Sequence, residues 1–365
     1  MSTRMNSLQA SALLAILLVL SAIAVAQTTP KMALLILSKQ DHTLAIVNPE
    51  NLSVVARVPV GDDPHEVIAS ADGRSAYVSN YGFGAFHTLT MIDLVAQKQA
   101  KQIDLGPLRG PHGLTFAQDK VWFTAEAAKA IGSYDPASGK VDWIMGTGQN
   151  RTHMIYVFPD AKRIVTTNVN SATVTILEKT EGPAGMPPGP PPGMPPGAPP
   201  GGGGAGMPPR QMPGPPGGDW NETVIPVGRG SEGFDVSPDG KEVWVANAWD
   251  GTVTVIDVAT KKVTDTLKVN VPGANRLKIT PDGKLALVSA GPDLVFLDTG
   301  THREVKRMHI GHGSGGILVQ PDGARAYVAF GPDGFVAVID LRTLEVAGKI
   351  DAGGNPDGLA WAVER

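Results

Sequence analysis

The chain repeats itself. Pro64-His65-Glu66-Val67-Ile68-Ala69-Ser70-Ala71-Asp72-Gly73 leads into Tyr77-Val78-Ser79-Asn80, and the same plan returns as Gly233-Phe234-Asp235-Val236-Ser237-Pro238-Asp239-Gly240 ahead of Trp244-Val245-Ala246-Asn247. Pro281-Asp282-Gly283 and Pro321-Asp322-Gly323 open two more copies, the second before Tyr327-Val328-Ala329-Phe330, and weaker copies carry Asp119 and Asp160 at the turn. The turn aspartates Asp72, Asp119, Asp160, Asp239, Asp282 and Asp322 are 47, 41, 79, 43 and 40 residues apart. The long interval encloses Gly182–Asp219, 38 residues of foreign composition, and without them it becomes 41. A fixed period of this size points to stacked repeats, because one unit cannot bury its apolar face alone.

Each unit reads as four short strands. Apolar residues alternate, as at Val253 and Val255, and turn residues divide the runs. In Pro-Asp-Gly, proline fixes φ, aspartate bonds its own backbone and glycine takes φ > 0. Radial stacking of such sheets covers their faces and protects most edges. The expectation is an all-β, seven-bladed β-propeller of four-stranded antiparallel blades over residues 27–365. The N-terminal stretch offers three strands, Ala33–Ser38, Thr43–Asn48 and Ser53–Val58, and the C-terminal stretch offers a single strand, Gly358–Glu364. Three strands and a fourth make a blade, so the ring is expected to close by pairing its ends, which removes two open edges.

Tyr77-Val78-Ser79-Asn80, Trp244-Val245-Ala246-Asn247, the Pro-Asp-Gly turns and the Pro-His pairs at His65 and His112 resemble the YVTN-repeat family of exported propellers. The resemblance covers nearly all of the chain after residue 26 and implies a fold within the wider WD40-like and quinoprotein-like group. Related propellers include lactonases, a streptogramin-inactivating lyase and the haem d1 domain of a nitrite reductase. None of their catalytic motifs is matched here residue by residue.

Residues 1–26 read as a secretion signal: Arg4 is the positive region, Ala12–Ala26 the apolar run, and Ala24-Val25-Ala26 the cleavage motif. The expected location is periplasmic or extracellular, with no membrane span after cleavage. The chain has no cysteine, which excludes disulfides, thiolate zinc sites and C-x-x-C-H haem attachment. The net charge of −4 and the lack of any basic run argue against nucleic acid as a partner. A monomer is expected, with a small anionic molecule or a cell-envelope protein as partner.

Gly182–Asp219 holds 15 prolines and 13 glycines, with glycine every fourth residue from 185 to 201, so the collagen period of three is excluded. It reads as a disordered insertion in a surface loop of blade four, because it has too little apolar surface to fold. Met186, Met194, Met207 and Met212 offer soft thioethers to Cu(I), although a tolerated solubilising insertion needs no ligand.

The first strand of each blade starts beside the channel. The opening positions are His65, His112, His153, Glu232, Asn275, Gly315 and Asp357. Three imidazoles and a carboxylate on neighbouring blades are the ingredients of an acid–base pair or of a divalent metal site, with His65, His112 and His153 as the metal candidates. The same residues also serve as simple strand caps copied by repetition. Arg109, Arg151, Arg229 and Arg276 lie on that face and suggest a grip on carboxylate or phosphate, opposed by Asp62, Asp63, Glu232 and Asp357. Asn80, Asn168 and Asn247 end second strands there, and the loop Tyr81–His87 adds Phe83 and Phe86, with Trp249 in the matching loop of blade five. These residues support a non-catalytic binding or scaffold propeller first. The alternative is an enzyme acting on a small anionic substrate, such as a lactonase-like hydrolase.

Overall fold

The computed structural model describes residues 28–180 and 220–365. The expected leader over 1–26 and the proline-rich segment 182–219 lie outside them. Among the described residues no helix is long and apolar enough to cross a membrane.

The strands form seven antiparallel sheets of four. Blade one joins the two ends of the chain. Pro356–Val363 is its innermost strand, followed by Met32–Ser38, Thr43–Val47 and Val54–Pro59. Met32 to Ile36 pair residue by residue with Val363 to Leu359. The six other blades are continuous in sequence, and their first strands open at Pro64, Pro111, Thr152, Ser231, Ala274 and Ser314. The expected strand edges shift by only one or two residues. In blade four, the third strand Thr173–Lys179 and the fourth Trp220–Pro226 pair along their whole length, ending with Lys179 opposite Trp220. Lys179 and Trp220, the paired residues nearest to residues 181–219, therefore meet at one edge of the sheet, on the face of the Pro-Asp-Gly turns.

Burial falls from the inside of each blade outward, and the residue types follow it. Second strands are covered on both faces and read as apolar runs. Leu34, Leu35, Ile36 and Leu37 are fully buried, as are Val243, Trp244 and Val245. Fourth strands form the rim: in Lys98–Asp104 every residue but Ile103 is exposed. Each fully buried aliphatic side chain contributes about 1.5–3 kcal/mol through loss of contact with water.

One irregularity recurs. In every blade the pairing of first and second strands shifts register immediately after the first strand opens, as between Pro64 and Val67 or Ser314 and Ile317. Such a bulge bends the strand and re-aims its side chains. The opening residues, from His65 round to Asp357, sit on these seven bulges.

The residue after each opening position faces the next blade, and around the ring these residues are Glu66, Gly113, Met154, Gly233, Arg276, Gly316 and Gly358. At the glycines the backbones of adjacent first strands touch. A Cβ on Gly113 would lie 2.6 Å from the His153 carbonyl oxygen, one on Gly233 2.5 Å from the Arg276 Cα, and one on Gly358 2.4 Å from the His65 carbonyl oxygen. A Cβ on Gly316 would lie 2.1 Å from the Asp357 oxygen. Large and small residues thus alternate, except at blades seven and one, where two glycines are adjacent.

Gly316→Ala should therefore destabilise the protein by about 2 kcal/mol or more through overpacking against backbone that has no room to yield. Gly146→Ala, where nothing lies within 4 Å of the added carbon, should change stability by no more than about 0.5 kcal/mol. Urea midpoints of the two variants check this, and equal midpoints would refute the close approach.

Candidate ligand site at the channel mouth

The bulges bring His65, His112 and His153 into one row. The ring centroids of His65 and His112 are 4.9 Å apart and those of His112 and His153 3.9 Å. Three further side chains reach the row from the residue that follows the second strand of blades one, two and three: Lys39, Tyr81 and Glu126.

His65 is occupied on both nitrogens. Its Nδ1 lies 3.1 Å from the Asp63 carbonyl oxygen and its Nε2 2.8 Å from Lys39 Nζ. The ammonium can only donate, so Nε2 accepts and Nδ1 carries the proton. Burial, with the lysine charge, pushes the His65 pKa down. Lys39 also donates to Asp357 Oδ2 at 3.2 Å. Burial works against ionisation of Asp357, yet Lys39 and Arg276 hold its carboxyl below the usual range.

His153 is held between two carboxylates. Its Nδ1 meets Glu126 Oε1 in a short hydrogen bond. Its Nε2 lies 2.8 Å from Glu232 Oε2 but out of line for a hydrogen bond, so the contact is one of charge only. Burial opposes the charge, but Glu232 and Glu126 outweigh it and raise the His153 pKa. Burial also opposes ionisation of Glu232, and His153 with Arg151 overcomes it, bringing that carboxyl down to about 2. Tyr81 donates its hydroxyl to Glu126 Oε2 at 2.5 Å. Arg151 donates to Glu232 Oε1 at 3.0 Å, and its Nε lies 3.6 Å from Glu126 Oε1.

Arg151 sits at φ 57°, in the left-handed region, at the position where blades three, five and six carry Gly110, Gly230 and Gly273. A non-glycine residue there costs roughly 1–2 kcal/mol. Asp63 and Asn355, at the same position of blades two and one, share the left-handed φ, so the conformation belongs to the repeat, and in blade four it carries a guanidinium that lies between two carboxylates.

His112 lies in the middle of the row, 2% exposed, and its Nδ1 has no hydrogen-bond partner. Burial holds its pKa well below the ordinary histidine value, and the neighbouring His153, His65, Arg276 and Arg151 reinforce the shift. It is therefore a neutral imidazole, closed off from water, whose Nδ1 makes no hydrogen bond.

Arg276 crosses the channel. From blade six its Nη2 pairs with Glu66 Oε1 of blade two, and its Nη1 donates to the backbone and side-chain oxygens of Asn275 at 3.1 and 2.9 Å. Blades seven and one lie between them, so the pair spans two blades.

The other sequence candidates lie apart. Arg229 is largely exposed and bonded to Asp250, and Arg109 reaches only the Ala85 carbonyl oxygen, at 3.3 Å. Of the four arginines expected on this face, Arg151, Arg229 and Arg276 are paired with carboxylates and Arg109 is not. Asn80, Asn168 and Asn247 are buried, and each gives its amide to two threonines of the neighbouring strand: Thr88 and Thr90, Thr173 and Thr175, Thr252 and Thr254. They clamp second strand to third and do not line the site. In the aromatic loop Tyr81 turns inward, whereas Phe83 is 90% exposed.

The family model of YNCE-like β-propellers matches residues 4–135. The chain is a seven-bladed β-propeller, and over residues 4–135 it is similar to the YNCE-like β-propellers. No curated sequence matches the chain. Among solved structures it is similar to hydrazine synthase of Kuenenia stuttgartiensis, with 18% identity and a TM-score of 0.64 over 88% of this chain and 98% of that one. A putative 6-phosphogluconolactonase from Bacteroides uniformis gives 14% identity and a TM-score of 0.67 over 90% and 99%. Dihydro-heme d1 dehydrogenase NirN gives 15% and 0.58 over 90% and 74%. At these identities the likeness is one of fold.

Replacing Arg276 by Met leaves the half-buried Glu66 carboxylate without its partner and should cost up to about 3 kcal/mol; Glu66→Met with Arg276→Met should recover most of that loss. Chemical denaturation of the three variants checks the sign. A double variant as unstable as the single one would show that the pair does not act as a unit.

Proposed function

We propose that the chain is an exported binding propeller that holds a small ligand at the channel mouth, on the face of His65, His112 and His153, without converting it. The observation that carries this reading is His112, a neutral buried imidazole whose Nδ1 has no partner although every residue around it is bonded. Leaving a buried polar atom unpaired costs about 1–3 kcal/mol, and a ligand that engages it recovers that cost on binding.

The charge around the row favours an electron-pair acceptor. Lys39, Arg151 and Arg276 face five carboxylates, Asp63, Glu66, Glu126, Glu232 and Asp357. The small anionic partner suggested by the arginines loses most of its support, since three of those four arginines are already paired. A hydrolase of the lactonase kind has less to work with as well. Both ring nitrogens of His153 are already engaged by Glu126 and Glu232, and His112 lacks the orienting partner that a general base requires. An envelope protein remains a second kind of partner, with the exposed Phe83 and Trp249 beside the mouth as its contact. Export rests on Arg4, the apolar run to Ala26 and the Ala24-Val25-Ala26 motif.

Two measurements test the reading. The protein recovered from the envelope or medium should begin at Gln27; recovery in the cytoplasm with residue 4 retained would overturn export. In a melting screen of small molecules, ions and chelated metals, at least one should raise the Tm of the wild type and not of His112→Ala, as mass action requires. If every stabilising compound acts equally on both proteins, the ligand site lies elsewhere.

A further inference from the structure

The two histidines and the carboxylate that meet at the centre of the row have the donor set of a metal centre. We infer that His112, Glu126 and His153 bind one divalent first-row transition ion of the Zn²⁺ or Cu²⁺ kind, an inference that rests on the reading of the mouth as a ligand site and gives that ligand a chemical class. One donor atom from each of the three residues lies within 4.8 Å of the others, and all three residues are buried. Zn–N bonds of about 2.0–2.1 Å place donors roughly 3.3 Å apart in a tetrahedral shell, a contraction within reach of small side-chain rotations. Among the described residues no other group of three or more histidines, aspartates or glutamates offers such a site. The five remaining histidines, His42, His87, His302, His309 and His312, each face a single aspartate.

The expected ligand His65 drops out because Lys39 occupies its Nε2 and Asp63 its Nδ1. Glu126 takes its place. The short Nδ1–Oε1 contact between His153 and Glu126 holds a proton where the ion would sit, and binding would release that proton to solvent. His112 supplies the second nitrogen from the imidazole whose Nδ1 is unpartnered.

The surroundings fit an ion. Tyr81 fixes the far oxygen of Glu126, and Glu232, itself held by Arg151, stands 2.8 Å from His153 Nε2. Partners of this sort orient the ligands and keep them basic. Two imidazoles and one carboxylate suit zinc, copper or nickel, whereas Ca²⁺ and Mg²⁺ require oxygen-rich shells. Three protein ligands leave a fourth coordination position to be filled by water or another ligand.

The test uses the untagged full chain, stripped with EDTA and titrated with Zn²⁺ against a chromogenic chelator. The wild type and His65→Ala should each take up one equivalent tightly. His112→Ala and Glu126→Gln should lose it, and Tyr81→Phe should bind about tenfold to a hundredfold more weakly. Circular dichroism verifies that the variants fold. For a variant that does not, the Cu²⁺ EPR spectrum of the wild type decides: nitrogen hyperfine structure from two imidazoles supports the site, and its absence overturns it. No tight equivalent in the wild type, or an equivalent retained by His112→Ala and Glu126→Gln, also overturns the inference. A compound that still stabilises the wild type, but not His112→Ala, in excess EDTA would preserve the mouth as a ligand site while removing the metal. If neither metal nor compound depends on His112, both readings fall.

Discussion

The structure depends on the contact of backbone with backbone around the channel. Seven innermost strands lean on one another at their bulges, and at four of the junctions nothing larger than a hydrogen fits between them. That spacing sets the radius of the ring. The apolar second strands, packed between blades on both faces, stabilise the stack but tolerate more variation, because side chains can repack whereas backbone cannot. Closure through Pro356–Val363 and Met32–Ser38 follows from the same demand. With an open ring, the last innermost strand would have no neighbour to lean on.

The tight radius also explains why the mouth is so polar and so well satisfied. Side chains aimed inward from seven strands share a small volume with little water, and charge there survives only in pairs. Asp357, Lys39, His65 and Asp63 form one chain of contacts; Tyr81, Glu126, His153, Glu232 and Arg151 form a second; Arg276 and Glu66 form a third. His112 stands between the first two chains and its Nδ1 is left out of both. Two buried ring nitrogens of the row make no hydrogen bond: His153 Nε2, which has Glu232 at 2.8 Å, and His112 Nδ1.

Much of the fold was legible in the sequence, because repetition, turn chemistry and alternation all point the same way. The spacing of Asp72 to Asp322, the Pro-Asp-Gly turns and the incomplete set of strands at each end suffice for seven blades and their closure. The opening residues His65, His112, His153 and Glu232 were also legible, since register carries them to one rim. Lys39, Glu66 and Glu126 were not singled out. Each stands beside a recognisable position, Lys39 and Glu126 one residue past the second strand and Glu66 one past the opening, and aligning the repeats to that depth would have found them. What no alignment shows is pairing: Arg151 and Arg276 read as free charge until the carboxylates of other blades are placed against them. Asn80, Asn168 and Asn247 misled for the opposite reason. A polar residue repeated in three blades suggested a shared ligand, whereas it repeats because each blade needs the same clamp.

The alternation of large and small residues around the ring has an arithmetic consequence. A pattern of two cannot close on an odd number, so somewhere two like residues must meet, and here they are Gly316 and Gly358. The two neighbouring glycines fall within the interval that the Arg276–Glu66 pair spans. A ring of six or eight built on the same rule would alternate without fault and would have no such pair of neighbouring glycines. Gaining or losing a single blade would therefore alter more than the diameter: it would change the separation of Arg276 and Glu66 and break an ion pair made across two blades, which ties the number of blades to the chemistry of the channel.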